Sequence, residues 1–251
     1  MRAALALIPL ALLAGCGGDD GANSSTPVTS STAVAQVAAP AGKAWTDVVS
    51  KTADGGFVQG NPNAPIKLVE YGSRNCPVCG RFAEEGTEPL RAKYIATGKV
   101  SLEFRDFLVH GAPDFAAALL NQCVPTEAFF PVLDQFYANQ TQFLDRTQKL
   151  EQTNPQLVAQ LQNMTPQQAA VAFADALGYV DFIKQRGVPE AKARQCLNDQ
   201  AKIAEIAKVN GDAVNVHGVS GTPTFFINGK QVQNVATWSG LEPALQAAGA
   251  R

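Results

Sequence analysis

An apolar strand pattern that runs straight into two cysteines three residues apart constrains this chain more than any other feature. In Ile66-Lys67-Leu68-Val69-Glu70-Tyr71 the apolar residues read as a strand, Gly72-Ser73 as a turn, and Cys76-Pro77-Val78-Cys79 as the opening of a helix. Pro77 falls at the first helical position, where its missing N–H costs nothing. Cys76 is then the N-cap, and Cys79 lies one turn on, on the same helix face, within reach of a small disulfide ring. A thiolate at an N-cap accepts from the Cys79 N–H and meets the positive end of the helix dipole, so the Cys76 pKa is expected low. Such a sulfur is a nucleophile and a good leaving group. Half of a zinc site, or two buried core cysteines, are the alternatives; zinc needs two further ligands at suitable spacing.

The 251 residues are 46% hydrophobic with a formal net charge of −2. That is enough core for one domain with an insertion or for two small ones, and nothing in the charge balance points to nucleic acid. Two histidines and two methionines leave little material for a metal site, and none is expected.

Residues 1–15 read as a processed signal: Arg2, an apolar run from Ala3 to Leu13, then Ala14-Gly15, too short to span a bilayer as a mature helix. Leu13-Ala14-Gly15-Cys16 resembles the bacterial lipoprotein signal, which implies cleavage before Cys16, lipidation of its thiol and a membrane-anchored life in an oxidising space such as the periplasm. An ordinary secretory signal cut nearby is the alternative. Residues 16–44, rich in Gly, Ser, Thr, Ala and Pro, are expected to form a flexible tether.

Further along, residues 100–107 alternate as a second long strand. Helical signals then dominate to about residue 207, and Asn228-Gly229 marks a tight hairpin before a last short helix. Pro89 is expected to kink the cysteine helix before it ends near Ile95.

Cys76-Pro77-Val78-Cys79, Glu70 six residues before Cys76, and Gly221-Thr222-Pro223-Thr224-Phe225-Phe226 together resemble the DsbA-like branch of the thioredoxin superfamily, from about Phe57 onward. The resemblance implies an α/β thioredoxin fold carrying an inserted helical domain. Residues 45–110 and 200–251 would form the thioredoxin-like part and 111–199 the insertion. It implies thiol:disulfide oxidoreductase activity at Cys76 and Cys79 with no cofactor beyond that disulfide. It also implies a cis bond before Pro223, with Thr222 and Pro223 beside the sulfurs, where an extended client can pair. Glu70 is expected to exchange a proton with Cys79; pairing with Lys67 or Arg105, or facing solvent, is the other reading. Arg74 is close enough in sequence to support the thiolate by charge.

Two further cysteines, Cys123 and Cys196, bracket the helical block. In an exported protein they pair most simply with each other, closing a loop of about 70 residues worth near 4 kcal/mol at most. Two free buried thiols are the alternative. The expected partners are reduced exported proteins and a DsbB-like membrane redox protein, with the chain itself a monomer. Val78 stands where the family often has histidine and offers no charge to Cys76, so a pKa above the about 3.5 of DsbA and a milder oxidant are expected. Thr222 occurs in relatives that reduce or isomerise disulfides, which keeps the opposite direction open. A soft-metal or scaffold module is the third reading.

Overall fold

The computed structural model describes residues 27–251, so the signal and Cys16 lie outside the described residues. The strand that leads to the cysteines, β3 (Ile66–Gly72), sits inside a six-stranded sheet with β1 (Val49–Lys51), β2 (Phe57–Gly60), β4 (Val100–Asp106), β5 (Thr224–Ile227) and β6 (Lys230–Gln231). The strand order is β1-β2-β4-β3-β5-β6. β3 runs parallel to β4, with Glu70 opposite Phe104, and antiparallel to β5, with Glu70 opposite Phe225. Asn228 and Gly229 turn β5 into β6 with φ of 49° and 79°. Positive φ at both central residues is what a two-residue hairpin twisted like its strands requires.

Side chains alternate across a strand, so Ile66, Leu68 and Glu70 share one face of β3, and Val69 and Tyr71 the other. Ile66 and Leu68 join the main core with Phe82 and Leu90 of α1 (Pro77–Leu90), Phe225 of β5 and several aromatics. Tyr71 packs instead with Phe107, Val219 and Phe226. Past Pro89, which cannot complete the helical ladder, α1 continues as a wider π-helical turn over Arg91–Ile95 rather than as a simple kink.

Between β4 and β5 stands the helical block: α2 (Ala112–Asn121), α3 (Phe129–Ala138), α4 (Gln140–Thr153), α5 (Pro155–Gln162), α6 (Pro166–Ala176), α7 (Tyr179–Lys184) and α8 (Glu190–Leu197). It has its own core, in which Phe136, Phe143, Tyr179 and Phe182 meet ring to ring at 4.4–5.9 Å. α3 belongs to both cores. Phe129, Phe130 and Leu133 enter the sheet core, where Phe129 stacks on Phe57 at 3.8 Å, while Val132 and Phe136 enter the helical one. Cys123, after α2, is disulfide-bonded to Cys196 of α8.

The helical stretch that the sequence carries to about residue 207 is interrupted at Asp199. Its carboxylate caps the amides of Ala201 and Lys202 and starts α9 (Gln200–Asn215) afresh. α9 returns to the sheet, where Ala213 packs with Tyr71. α10 (Trp238–Leu245) closes the core with Trp238, Leu241 and Leu245.

The tether expected over residues 16–44 differs over its described half. Ser30 and Val34 donate backbone hydrogen bonds to Ala247 and Gly249, and Val37 to Thr97. Val28, Val34 and Ala39 pack on the core, and the Trp45 indole donates to Val37 O at 2.7 Å. A glycine where the arm docks lets backbone approach backbone: a Cβ on Gly249, at φ 111°, would lie 3.1 Å from the Thr32 carbonyl oxygen.

Candidate active site

The chain leaves β3 through Ser73-Arg74-Asn75, and each of these side chains is taken up by the helical block. Asp114 of α2, itself buried, accepts from the Ser73 hydroxyl at 2.7 Å and the Asn75 amide at 2.9 Å. The Tyr179 hydroxyl donates to Asn75 Oδ1 at 2.7 Å. Arg74 pairs with Asp106 and donates through Nε to Asn121 at 2.9 Å. Its guanidinium is therefore committed to a buried ion pair ringed by Phe104, Phe129 and Phe136. Gln140, at the start of α4, donates from Nε2 to the carbonyls of both Arg74 and Cys76 at 2.9 Å. Burying this many polar groups is tolerable because nearly all of them find a partner, Arg74 Nη2 being the exception, and the result is a loop held from one side.

That loop delivers Cys76 to the N-cap of α1, with Pro77 at the first helical position. Both Cys76 and Cys79 are free thiols; Cys76 retains 6% exposure and Cys79 none. The Cys76 side chain makes no full capping hydrogen bond. Its pKa is nevertheless pulled down to about 5, first by the Cys79 thiol donating to it, with burial opposing, then by Thr222 and the backbone amides of Cys79 and Val78. Cys79 is driven well above its ordinary range by desolvation, by the bond it gives Cys76 and by the negative charge of Glu70. One sulfur is a thiolate near neutrality and its neighbour a covered thiol.

The Thr222–Pro223 peptide bond is cis. It sets the Thr222 carbonyl 3.3 Å from Cys76 Sγ, where the protonated thiol donates to it. The Thr222 hydroxyl is buried without a full hydrogen-bond partner and favours the thiolate. Val78 is exposed beside the sulfur, an apolar rim to the site.

Glu70 lies beneath the pair. It is 4% exposed and contacts neither Lys67 nor Arg105; Arg105 is taken instead by Glu103, Asp54 and the Tyr71 hydroxyl. Its Oε1 has no partner, and burial, with the negative charges of Cys76 and Asp134, pushes its pKa up to about 8. A carboxyl poised there can take up or give a proton near neutral pH. His110, after β4, sits 3.3 Å from Asp114 and 3.4 Å from Ser73; the bond to Asp114 raises its pKa, with a smaller contribution from the Cys76 charge. His217 packs against Tyr71 and Phe226 on the other face of the sheet.

Thus Glu70, Cys76, Cys79, Thr222 and Pro223 converge, while Cys123 and Cys196 are joined elsewhere in the helical block. Sequence reasoning missed Ser73, Asn75, Asp114, Asn121, Gln140 and Tyr179. The available signal was polarity out of place: Asp114 and Asn121 flank an unbroken apolar run in α2, where a helix bound for a core should carry no lone carboxylate or amide. No group of three or more His, Cys, Asp or Glu among the described residues is placed to hold a metal ion.

A thiolate and a covered thiol at a helix mouth, a cis-proline beside them and a buried carboxyl beneath define a thiol–disulfide redox site on a thioredoxin fold. The comparisons agree. The thioredoxin family model Thioredoxin_4 matches residues 52–247, and the chain belongs to that family. A "Putative protein-disulfide oxidoreductase" of Rickettsia felis is 29% identical over 188 residues, covering 74% of this chain and 58% of that protein. The chain thus spans about three fifths of the length of that relative. A crystal structure of a protein-disulfide isomerase from Novosphingobium aromaticivorans shares 30% identity with a TM-score of 0.71, over 76% of this chain and 95% of that one. The fold is also that of α-DsbA1 from Wolbachia pipientis, at 20% identity and a TM-score of 0.58, over 79% and 94%.

Proposed function

We propose that this protein is a DsbA-like thiol:disulfide oxidoreductase that gives the Cys76–Cys79 disulfide to reduced exported proteins. The opposed pKa shifts of its two sulfurs carry the reading: stabilising the Cys76 thiolate stabilises the reduced enzyme, and that makes the disulfide an oxidant. A client thiolate attacks Cys76 Sγ, the Cys76–Cys79 bond breaks, and Cys79 departs with the electron pair and takes a proton from Glu70. A second client thiolate then attacks the mixed disulfide and releases Cys76 as thiolate. Thr222 and Pro223 offer the edge against which an extended client lies during these steps. At about 5 the Cys76 pKa supports an oxidant milder than DsbA, whose value is about 3.5.

Cys16 would carry the lipid that tethers the enzyme to a membrane facing the periplasm, and a DsbB-like membrane protein would reoxidise it. Labelled fatty acid should enter the wild-type chain and not Cys16→Ser. The second reading is a reductase or isomerase, favoured by Thr222 before the cis-proline and by the isomerase named among its structural relatives. Alkylating the thiols of intact cells separates the two: Cys76 and Cys79 found mainly as a disulfide supports the oxidase, and mainly as thiols the reductase. Equilibration with glutathione buffers then places the couple.

A further inference from the structure

Cys79 gains or loses a proton in every turnover, whichever way electrons run, yet it is wholly buried and Glu70 beneath it nearly so. When a client is bonded to Cys76 the client side of the site is covered as well. A proton held by Glu70 therefore needs another way out.

Among the described residues, only six buried side-chain polar atoms lack a hydrogen-bond partner, and two of them are Glu70 Oε1 and the Tyr137 hydroxyl. Native proteins seldom leave such atoms unmet, and a hydroxyl both donates and accepts. Tyr137, near the end of α3, lines a groove of about 980 Å³ that runs between α1, α3 and α4, alongside Pro77, Gly80, Asp134 and Gln140. Asp134, one turn earlier on α3, is fixed at that wall by two bonds from Arg91, at 2.6 and 3.1 Å. The same hydroxyl feels the redox centre: burial raises its pKa first, the negative charges of Cys79 and Glu70 add to that, and Arg74 opposes it. Asp134 in turn acts on Glu70. Pro77 and Gly80, the chain neighbours of Cys76 and Cys79, line the same groove as Tyr137, so its wall backs the redox pair, and Asp134 stands on that wall partly exposed to solvent.

We propose that Tyr137 is the relay by which the proton exchanged between Cys79 and Glu70 reaches solvent in the α1–α3–α4 groove, with Asp134 at its outer end. Resting on Glu70 as the proton partner of Cys79, the step balances without any further reactant. In the oxidising direction Glu70 gives its proton to the departing Cys79 thiolate; Tyr137 passes its hydroxyl proton to the Glu70 carboxylate across a bridging water, since the two atoms are not hydrogen-bonded to one another, and takes another from groove water. In the reducing direction every transfer reverses. No electrons pass through Tyr137, which is a positioning residue for protons and not a catalytic one.

Tyr137→Phe in the full chain removes the hydroxyl and keeps the ring. With glutathione as the attacking thiol, single-turnover opening of the Cys76–Cys79 disulfide should slow roughly tenfold, less than the about 10²–10⁴-fold that a general acid itself supplies. Small weak-acid buffers entering the groove should restore the rate, and the equilibrium with glutathione should stay at the wild-type position. Unchanged rate and pH profile in Tyr137→Phe, with Glu70→Gln slow, would overturn the relay and leave Glu70 in its role. If Glu70→Gln is also unaffected, the Glu70 reading falls and the relay with it. A Tyr137→Phe variant whose equilibrium shifts with its rate, and which no buffer rescues, has lost packing instead, and that too overturns the proposal.

Discussion

The side-chain amide of Gln140, from the first turn of α4, donates at 2.9 Å to the main-chain carbonyl of Cys76. A residue of the helical block thereby holds the residue that does the chemistry, and it holds Arg74 O by the same nitrogen. A Cβ on Gly80 would collide with the Gln140 side-chain carbonyl oxygen, so the contact also depends on a glycine in the first turns of α1.

Gln140→Ala leaves the Arg74 carbonyl without its donor and the Cys76 carbonyl with the Gly80 N–H alone, and should cost about 1–3 kcal/mol of stability. Gln140→Glu is the sharper variant. It sets an acceptor against two carbonyls and brings negative charge towards Cys76, so the Cys76 pKa should rise. Thiolate absorbance followed against pH reads it directly, and an unmoved titration would show that the clamp does not bear on the sulfur.

What the sequence disclosed, and what it hid, divides along the range of the interactions. The β3 alternation, Pro77 at the helix start and Asn228-Gly229 in the hairpin are local, and each is visible within a few residues. The face Glu70 occupies follows from period two once Ile66 and Leu68 are taken as core. That it pairs with no cation depends on where Arg105 goes, and Arg105 is claimed by Glu103 of its own strand, by Tyr71 of β3 and by Asp54. The loop clamp joins positions separated by 39 to 104 residues, from Asn75–Asp114 to Asn75–Tyr179, and no pattern in one sequence announces such pairs. Arg74 illustrates the cost: its nearness to Cys76 in the chain suggested a thiolate partner, whereas Asp106 and Asn121 have taken it. The arm over residues 27–44 reads as tether because it lacks large apolar residues, and it docks through its backbone, which composition does not report.

Cys79→Ala should trap mixed disulfides, because the sulfur that would displace the client from Cys76 is gone. Purified from cells without reductant and run on non-reducing gels, this variant should carry client adducts that vanish when Cys76 is also replaced. Adducts formed instead through Cys123 or Cys196 would show that the reactive pair lies elsewhere.

The Cys123–Cys196 bond spans 73 residues and ties the end of α2 to α8. Replacing both by alanine should lower stability by about 2–4 kcal/mol, since the loop it closes is long. The Cys76 titration should not move, because none of the groups acting on that sulfur belongs to this bridge. Denaturant unfolding beside thiolate absorbance tests both halves, and a shift in the second would mean that the helical block communicates with the site more tightly than its contacts imply.

The redox site also fixes how stability changes with pH. Cys76 in the folded, reduced protein loses its proton near pH 5, against an ordinary value near 9. Between those values the unfolded chain holds the extra proton, so this contribution grows with pH, is complete above the unfolded value and is lost as pH falls through about 5. Glu70 acts in the opposite sense. Its folded pKa is raised to about 8 from 4.5, so the folded protein holds the extra proton, and stability from this group declines as pH climbs through that window. In the reduced protein the two nearly offset one another from about pH 5 to 8. In the oxidised protein Cys76 does not titrate and only the Glu70 penalty is left, smaller because the neighbouring thiolate is gone. The stability of the reduced form minus that of the oxidised form should therefore rise by up to about 1.4 kcal/mol per pH unit across this range. Glu70→Gln should flatten the pH dependence of the oxidised form. Guanidinium titrations of both redox forms at three pH values suffice, and a difference that stays constant with pH would mean that Cys76 titrates as an ordinary thiol.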